Sequence, residues 1–176
     1  MREDLLKYIP EFDLIKDLDL KEKVLKVWEI ALTNGGWEMK DLQRMPFTLL
    51  IDPCPCNMIE HIRGVVSVSA SAAEALQSIY KDKVKINKNY LVAGALLHDI
   101  GKLVEYREKN GKFIPSNLGK LVRHPISGVG LCYGLDIPPE VIHIIASHSW
   151  EGDRSQRTPE AIIVHHADFT NFEQFK

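Results

Sequence analysis

Four of the seven histidines in this 176-residue chain sit in apolar surroundings. His61, His98, His124 and His148 each fall on a different expected helix or at its end, and Asp99 and Asp168 share that setting. Burying an imidazole or a carboxylate without compensation costs several kcal/mol for each charged group. A single core histidine satisfied by a carbonyl is ordinary. Six such side chains in one small domain point to a shared solution, and divalent metal ions provide one, because the ring nitrogens and carboxylate oxygens become ligands.

Helical phase sharpens this reading. Ala161, His165, Asp168 and Phe172 fall at i, i+4, i+7 and i+11, so Asp168 faces inward with His165 one turn before it, and His166 points elsewhere. On the preceding helix Val141, Ile144, Ile145 and His148 share a face, while His143 is rotated away. His143 and His166 therefore read as packing or peripheral histidines. His98 and Asp99 are neighbours, roughly 100° apart on a helix. They reach one metal pair only at a helix end or bend, and Gly101 supplies that break. An Asp placed there can bridge two cations with its two oxygens while His98 binds one.

The elements that must carry these residues are helical. The pattern Asp19-Leu20-Lys21-Glu22 has the form of a capping box, and Leu20, Val24, Val27, Trp28 and Ala31 follow at helical spacing until Asn34-Gly35-Gly36. A short polar helix and an irregular Pro-bearing stretch from Pro46 to Pro55 come next. Asn57 to Tyr80 reads as a long central helix, apolar or small nearly all round. Asn89 is placed to cap a buried helix running into His98-Asp99-Ile100-Gly101-Lys102. From Glu105 to Gly119 the chain is polar and loop-like, with a small hairpin expected around Asn110-Gly111. Three more helices begin near His124, after Pro138-Pro139, and at Thr158-Pro159-Glu160. The expectation is an all-α fold: residues 1–50 form a helical N-terminal extension packed on the core, and residues 51–176 form the metal-binding domain.

Composition narrows the function classes. With 45% hydrophobic and 26% charged residues and a net charge of −2, the chain is neither a polybasic nucleic-acid wrapper nor an acidic disordered segment. No apolar run approaches the ~18 residues of a membrane span, so the expected compartment is the cytoplasm. Three cysteines exclude a full disulfide framework, and Cys54-Pro-Cys56 lacks zinc-knuckle spacing.

The ordered series His61, His98-Asp99, His124, His148, Asp168 resembles the HD-domain superfamily of metal-dependent phosphohydrolases, and His-Asp-Ile-Gly-Lys at 98–102 matches its HDIG subgroup. The resemblance covers about residues 55 to 172 and implies a helical bundle around a buried metal site. It implies that His61, His98, Asp99 and Asp168 hold a first ion, and that His124 and His148, with Asp99 as bridge, hold a second. Lys102 matches the lysine that approaches a substrate phosphate. From Leu97 to Phe172 the chain is also similar to the HD part of a bacterial 3′→5′ exoribonuclease family. It departs from that family in having His148-Ser149 where two histidines are usual, and in lacking an OB-fold signature over residues 1–50.

The implied activity is hydrolysis of a small, nucleotide-like phosphate ester by a metal-activated hydroxide. Asp99, Lys102 and His165 would do the chemistry, with His165 relaying a proton or orienting a ligand. Mixed imidazole and carboxylate ligation suits one or two ions of Fe, Mn, Co or Zn better than Mg. The same four His and two Asp resemble the di-iron oxygenases of the superfamily, the myo-inositol oxygenase type. The Lys of HDIGK favours the hydrolase over that oxygenase, and the complete ligand set favours it over a non-catalytic nucleotide or metal sensor. A nucleic-acid substrate is the less favoured partner, and the oligomeric state is left open between monomer and dimer.

Overall fold

In the computed structural model, which describes residues 1–176, the chain is helical throughout, apart from one small antiparallel hairpin. Three helices come first: α1 (Arg2–Tyr8), α2 (Leu18–Gly35) and the short α3 (Met39–Leu42). α4 (Met58–Tyr80), α5 (Lys88–Leu97) and α6 (Lys102–Glu105) follow. After the hairpin come α7 (His124–Cys132), α8 (Pro139–Ser147) and α9 (Pro159–Glu173). No helix is long and apolar enough to cross a membrane.

The helix that is apolar on every side is α5, where Leu91 to Leu97 are all buried. α4 was the expected central helix, yet only its first half is. Beyond Ser69 most of its residues are at least partly exposed, and Ile79 and Tyr80 lie on the surface. Alanine and serine in that half tolerate either environment, so composition alone overstated its burial. α5 packs against α2, α4, α8 and α9, which gathers the elements that carry His61, His148 and Asp168 round it, while α7, which carries His124, packs on α8 and α6.

Two caps differ from expectation. Asp17, not Asp19, starts α2, its side chain accepting from the Leu20 amide at 3.1 Å, while Asp19 pairs with Lys23. Asn87, not Asn89, caps α5; Asn89 instead accepts from the Lys16 and Asp17 amides and ties the start of α5 to the start of α2. Other local signals hold as read. Asn57 and Glu60 form a capping box on α4, and Thr158 caps α9 with Pro159 in its first turn. β1 (Tyr106–Lys109) pairs with β2 (Lys112–Pro115) through Asn110-Gly111, both at positive φ, the backbone that an Asn-Gly hairpin turn requires.

The first forty residues do more than cover the bundle. Leu5, Ile9, Phe12, Val24 and Trp28 belong to the same continuous apolar cluster as α4, α5 and α8. Two buried tryptophans act as braces: Trp28 donates its indole N–H to the Leu96 carbonyl at 3.2 Å, and Trp37 to the Leu103 carbonyl at 2.7 Å. Both acceptors flank the His98–Lys102 segment.

Candidate metal centre

α5 ends at Leu97, and residues 98–101 form a turn before α6. The free carbonyls at that helix end are accounted for one by one. Ala95 accepts from the His98 Nδ1 at 2.7 Å, Leu96 accepts from Trp28, and Leu97 accepts from the Ile100 amide at 3.0 Å. α8 ends in the same way. His148 is the first residue beyond it and returns its Nδ1 to the Ile145 carbonyl at 2.8 Å, while Arg157 takes the Ser147 carbonyl. A histidine one step past a helix end thus uses its Nδ1 proton locally and leaves its Nε2 bare, facing inward. Gly101 is required by close approach, since a Cβ there would collide with the His124 carbonyl oxygen.

His124 opens α7 and is oriented by Glu105, whose Oε2 accepts from the His124 amide at 2.6 Å and lies 3.2 Å from its Nδ1. Burial, against the pull of Glu105, lowers the pKa of His124 to about 4, so its ring is neutral and its Nε2 also carries a lone pair. His61, on the first turn of α4, is held differently. Its ring stacks on Phe47 at 4.4 Å and 23°, and its buried Nδ1 meets no protein group.

These nitrogens converge on the carboxylate of Asp99. His61 Nε2 lies 3.3 Å and His98 Nε2 3.5 Å from Oδ2, while His124 Nε2 and His148 Nε2 lie 3.2 and 3.7 Å from Oδ1. Asp168 joins the first group, its Oδ1 being 3.2 Å from His61 Nε2 and 3.9 Å from His98 Nε2. The ring nitrogens also face one another, His61 to His98 at 3.3 Å and His124 to His148 at 3.2 Å. Two triads of buried donors result, His61/His98/Asp99 and Asp99/His124/His148, each with ligand atoms within 4.8 Å of one another.

That packing sets lone pair against lone pair. His98, His124 and His148 have each committed a proton to a carbonyl or carboxylate, so nothing lies between their Nε2 atoms and the Asp99 oxygens except what a cation can supply. The residues present therefore fit divalent metal ions. Burial alone would raise Asp99 and Asp168. Instead, Lys102 and the surrounding imidazoles hold Asp99 well below the usual carboxylate range, and His61 holds Asp168 at about 2.

All six expected donors are brought together. Lys102 stands beside them but is fixed: its buried Nζ donates to Asp99 Oδ2 at 2.6 Å and to the Phe47 carbonyl at 2.7 Å. α6 begins at Lys102 itself, and its side chain is buried. Burial would lower its pKa, but Asp99 outweighs burial and raises it, so it remains charged. His165 is not among the convergent donors; its Nδ1 meets the His148 carbonyl at 2.6 Å. His166 is exposed, and the His143 Nε2 accepts from the Thr158 amide at 3.4 Å.

A cleft of about 610 Å³ opens over the donors, lined by Lys102, Glu105, His124 and Asp168 together with the aromatic Phe47, Tyr106, Trp150, Phe169 and Phe172. The HD domain family matches residues 58–170, the span that holds all six donors. The chain belongs to the HD domain family.

Two curated relatives are similar to parts of the chain. The chain is 41% identical over 116 residues to a dihydroneopterin 2′,3′-cyclic phosphate phosphodiesterase of Methanocaldococcus jannaschii, covering 64% of this chain and 45% of that protein. It is 44% identical over 73 residues to ribonuclease Y of Desulforamulus reducens, covering 42% of this chain and 12% of that protein. The chain thus spans less than half the length of either relative. No solved structure matches it significantly.

Glu105 and Trp150, within the matched span, and Phe47, outside it, are the residues that sequence reasoning missed as parts of the site. A Glu after HDIGK was visible, but its bond to His124 spans 19 positions and depends on how α7 lies against α6.

Proposed function

We propose that this HD domain hydrolyses a phosphodiester of a small, nucleotide-like alcohol with the help of divalent ions held by His61, His98, Asp99, His124, His148 and Asp168. The supporting observation is the convergence of four imidazole nitrogens on the two oxygens of Asp99, beside a cleft lined by a fixed ammonium. The mixed donor set suits Fe, Mn, Co or Zn. Ions of this kind supply Lewis acidity and lower the pKa of a water at neutral pH.

The chain's own residues set the rest of the reaction. Asp99 is shared by both donor groups. Lys102 remains charged beside it and binds a phosphate oxygen as a point charge. His124, neutral at working pH, acts through its lone pair and not as an acid. His165 is a positioning residue, fixing the backbone that carries His148. In the reaction one P–O ester bond breaks, water oxygen joins phosphorus, and the released alcohol departs with a proton. The phosphodiesterase relative acts on a cyclic phosphate, and the cleft has room for such an ester. The three cysteines are free thiols, which fits a reducing cytoplasm.

The test is a substrate panel of nucleoside 2′,3′-cyclic phosphates, nucleoside monophosphates and short oligoribonucleotides, run on metal-stripped protein with Mn²⁺ or Fe²⁺ restored. The cyclic diesters should turn over and chelator should abolish the activity. If no phosphate ester reacts while the iron-loaded protein consumes O₂ with a polyol, the oxygenase reading replaces this one.

A further inference from the structure

Three tryptophans serve this chain, and two are structural: Trp28 is wholly buried and Trp37 nearly so, whereas Trp150 is 63% exposed. A lone exposed apolar side chain needs no explanation. Trp150 differs because it lies on the wall of the cleft that holds the donors, together with Phe169 and Phe172.

Its segment is clamped. The short 3₁₀ turn Trp150–Gly152 follows directly on Ser149. Arg157 ties that segment to the end of α8, donating to the Ser147 carbonyl at 2.7 Å and the Ser149 carbonyl at 2.9 Å. Gly152 packs so closely on Ser147 that a Cβ would strike its backbone. The Arg123 guanidinium lies 5.7 Å from the centre of the indole ring, and its Nε bonds Glu151 at 3.2 Å. Arg123 is thus placed against the indole, and both side chains line the cleft.

Both sides of this lip are chain neighbours of donors. Arg123 precedes His124, and Trp150 follows His148 by two residues, a span of at most ~7 Å along the backbone. A phosphodiester seated over the donors therefore shares its cleft with an aromatic surface carried on a tethered segment. The buried Lys102, Glu105 and His124 and the exposed Trp150 line one cleft, a combination that suits a ligand with an ionised end and a flat apolar end.

Building on the hydrolase reading, we infer that Trp150 is a specificity-determining residue that stacks on a planar heteroaromatic ring carried by the alcohol part of the ester. Base–aromatic stacking changes affinity by about 5- to 100-fold when the aromatic is removed.

The experiment compares adenosine 2′,3′-cyclic phosphate with the ringless glycerol 1,2-cyclic phosphate. In the wild type the ring-bearing ester should have the higher kcat/KM. Trp150→Ala should lower the ratio of the two kcat/KM values by about 10-fold, through KM and not kcat, and Trp150→Phe should recover most of it. A separate titration needs no turnover: adenosine alone should quench the emission of the exposed indole in the wild type and not in Trp150→Phe. An unchanged ratio in Trp150→Ala, with no quenching, overturns the inference while leaving the hydrolase reading intact. Quenching by adenosine in a protein that hydrolyses neither ester leaves the ring site standing and rejects the hydrolase.

Discussion

The two halves of the donor cluster are built by different means. On the His61/His98/Asp168 side there are two carboxylates, from Asp99 and Asp168; His98 is held by the Ala95 carbonyl through its Nδ1, and His61 is oriented only by stacking on Phe47. On the His124/His148 side a single Asp99 oxygen faces two imidazoles, each fixed by a hydrogen bond through its Nδ1, one to Glu105 and one to a helix-end carbonyl. Carboxylate-rich sites draw divalent ions through charge; imidazole-rich sites depend on lone pairs being held at the right angle. The first half should therefore bind its ion more tightly. The second should be more sensitive to the residues that orient its ligands.

The bridge between the halves is the place to break them both. Asp99→Ala removes the carboxylate common to both triads and leaves Lys102 buried without its partner, so metal content and turnover should fall together. Activity should drop by at least about 10³-fold, with a loss of stability of about 3 kcal/mol as the uncompensated ammonium is exposed. Elemental analysis after gel filtration, with a melting curve, checks this; an Asp99→Ala protein that retains both ions contradicts it.

Lys102→Ala separates chemistry from metal binding. Both ions should remain, and kcat should fall by about 2–4 kcal/mol in transition-state terms, the size of a lost donor to developing charge. Metal loss as severe as that of Asp99→Ala would show instead that the ammonium mainly supports the bridge.

Glu105→Gln probes one half alone. The amide can still accept from the His124 backbone but no longer holds the ring with a full charge. Affinity for one class of ion should weaken about 10- to 100-fold, with the other class unchanged, as read by calorimetric titration of the apo protein. Equal weakening of both classes would erase the distinction between the halves.

The smallest effect concerns pH. His124 has a folded pKa of about 4, below its ordinary 6.5, so the unfolded chain binds the extra proton first. The stability this contributes is complete above pH 6.5 and is lost as pH falls from there toward 4, up to about 3 kcal/mol. His61 works in the opposite sense. Burial lowers its pKa, but Asp168 and Asp99 outweigh that and raise it, giving stability that fades as pH rises through its folded value. The difference between wild type and His124→Gln isolates the first effect: for the apo proteins, the gap in melting temperature should narrow between pH 7 and pH 5.

Much of this was legible in the sequence, because five of the six donors lie near helix starts and ends, where short-range signals are strong. The phase of Asp168 on α9 and the break after His98 both follow from spacing over a few residues. What could not be read depends on contacts between distant segments. Asn87 and Asn89 are equivalent as local cap signals, and the choice between them is made by the Lys16 and Asp17 amides, more than seventy positions away. Lys102 was legible as a lysine of the site, but its bond to the Phe47 carbonyl, 55 positions upstream, was not. Glu105 and Phe47 orient ligands only once α6, α7 and α4 have packed.

The claim that Asp99 joins two ion sites is tested most directly by anomalous scattering from a crystal soaked in Mn²⁺. Two peaks are expected, one beside each oxygen of Asp99, the first among His61, His98 and Asp168 and the second between His124 and His148. A single peak, or one that leaves Asp99 outside its coordination, contradicts the account.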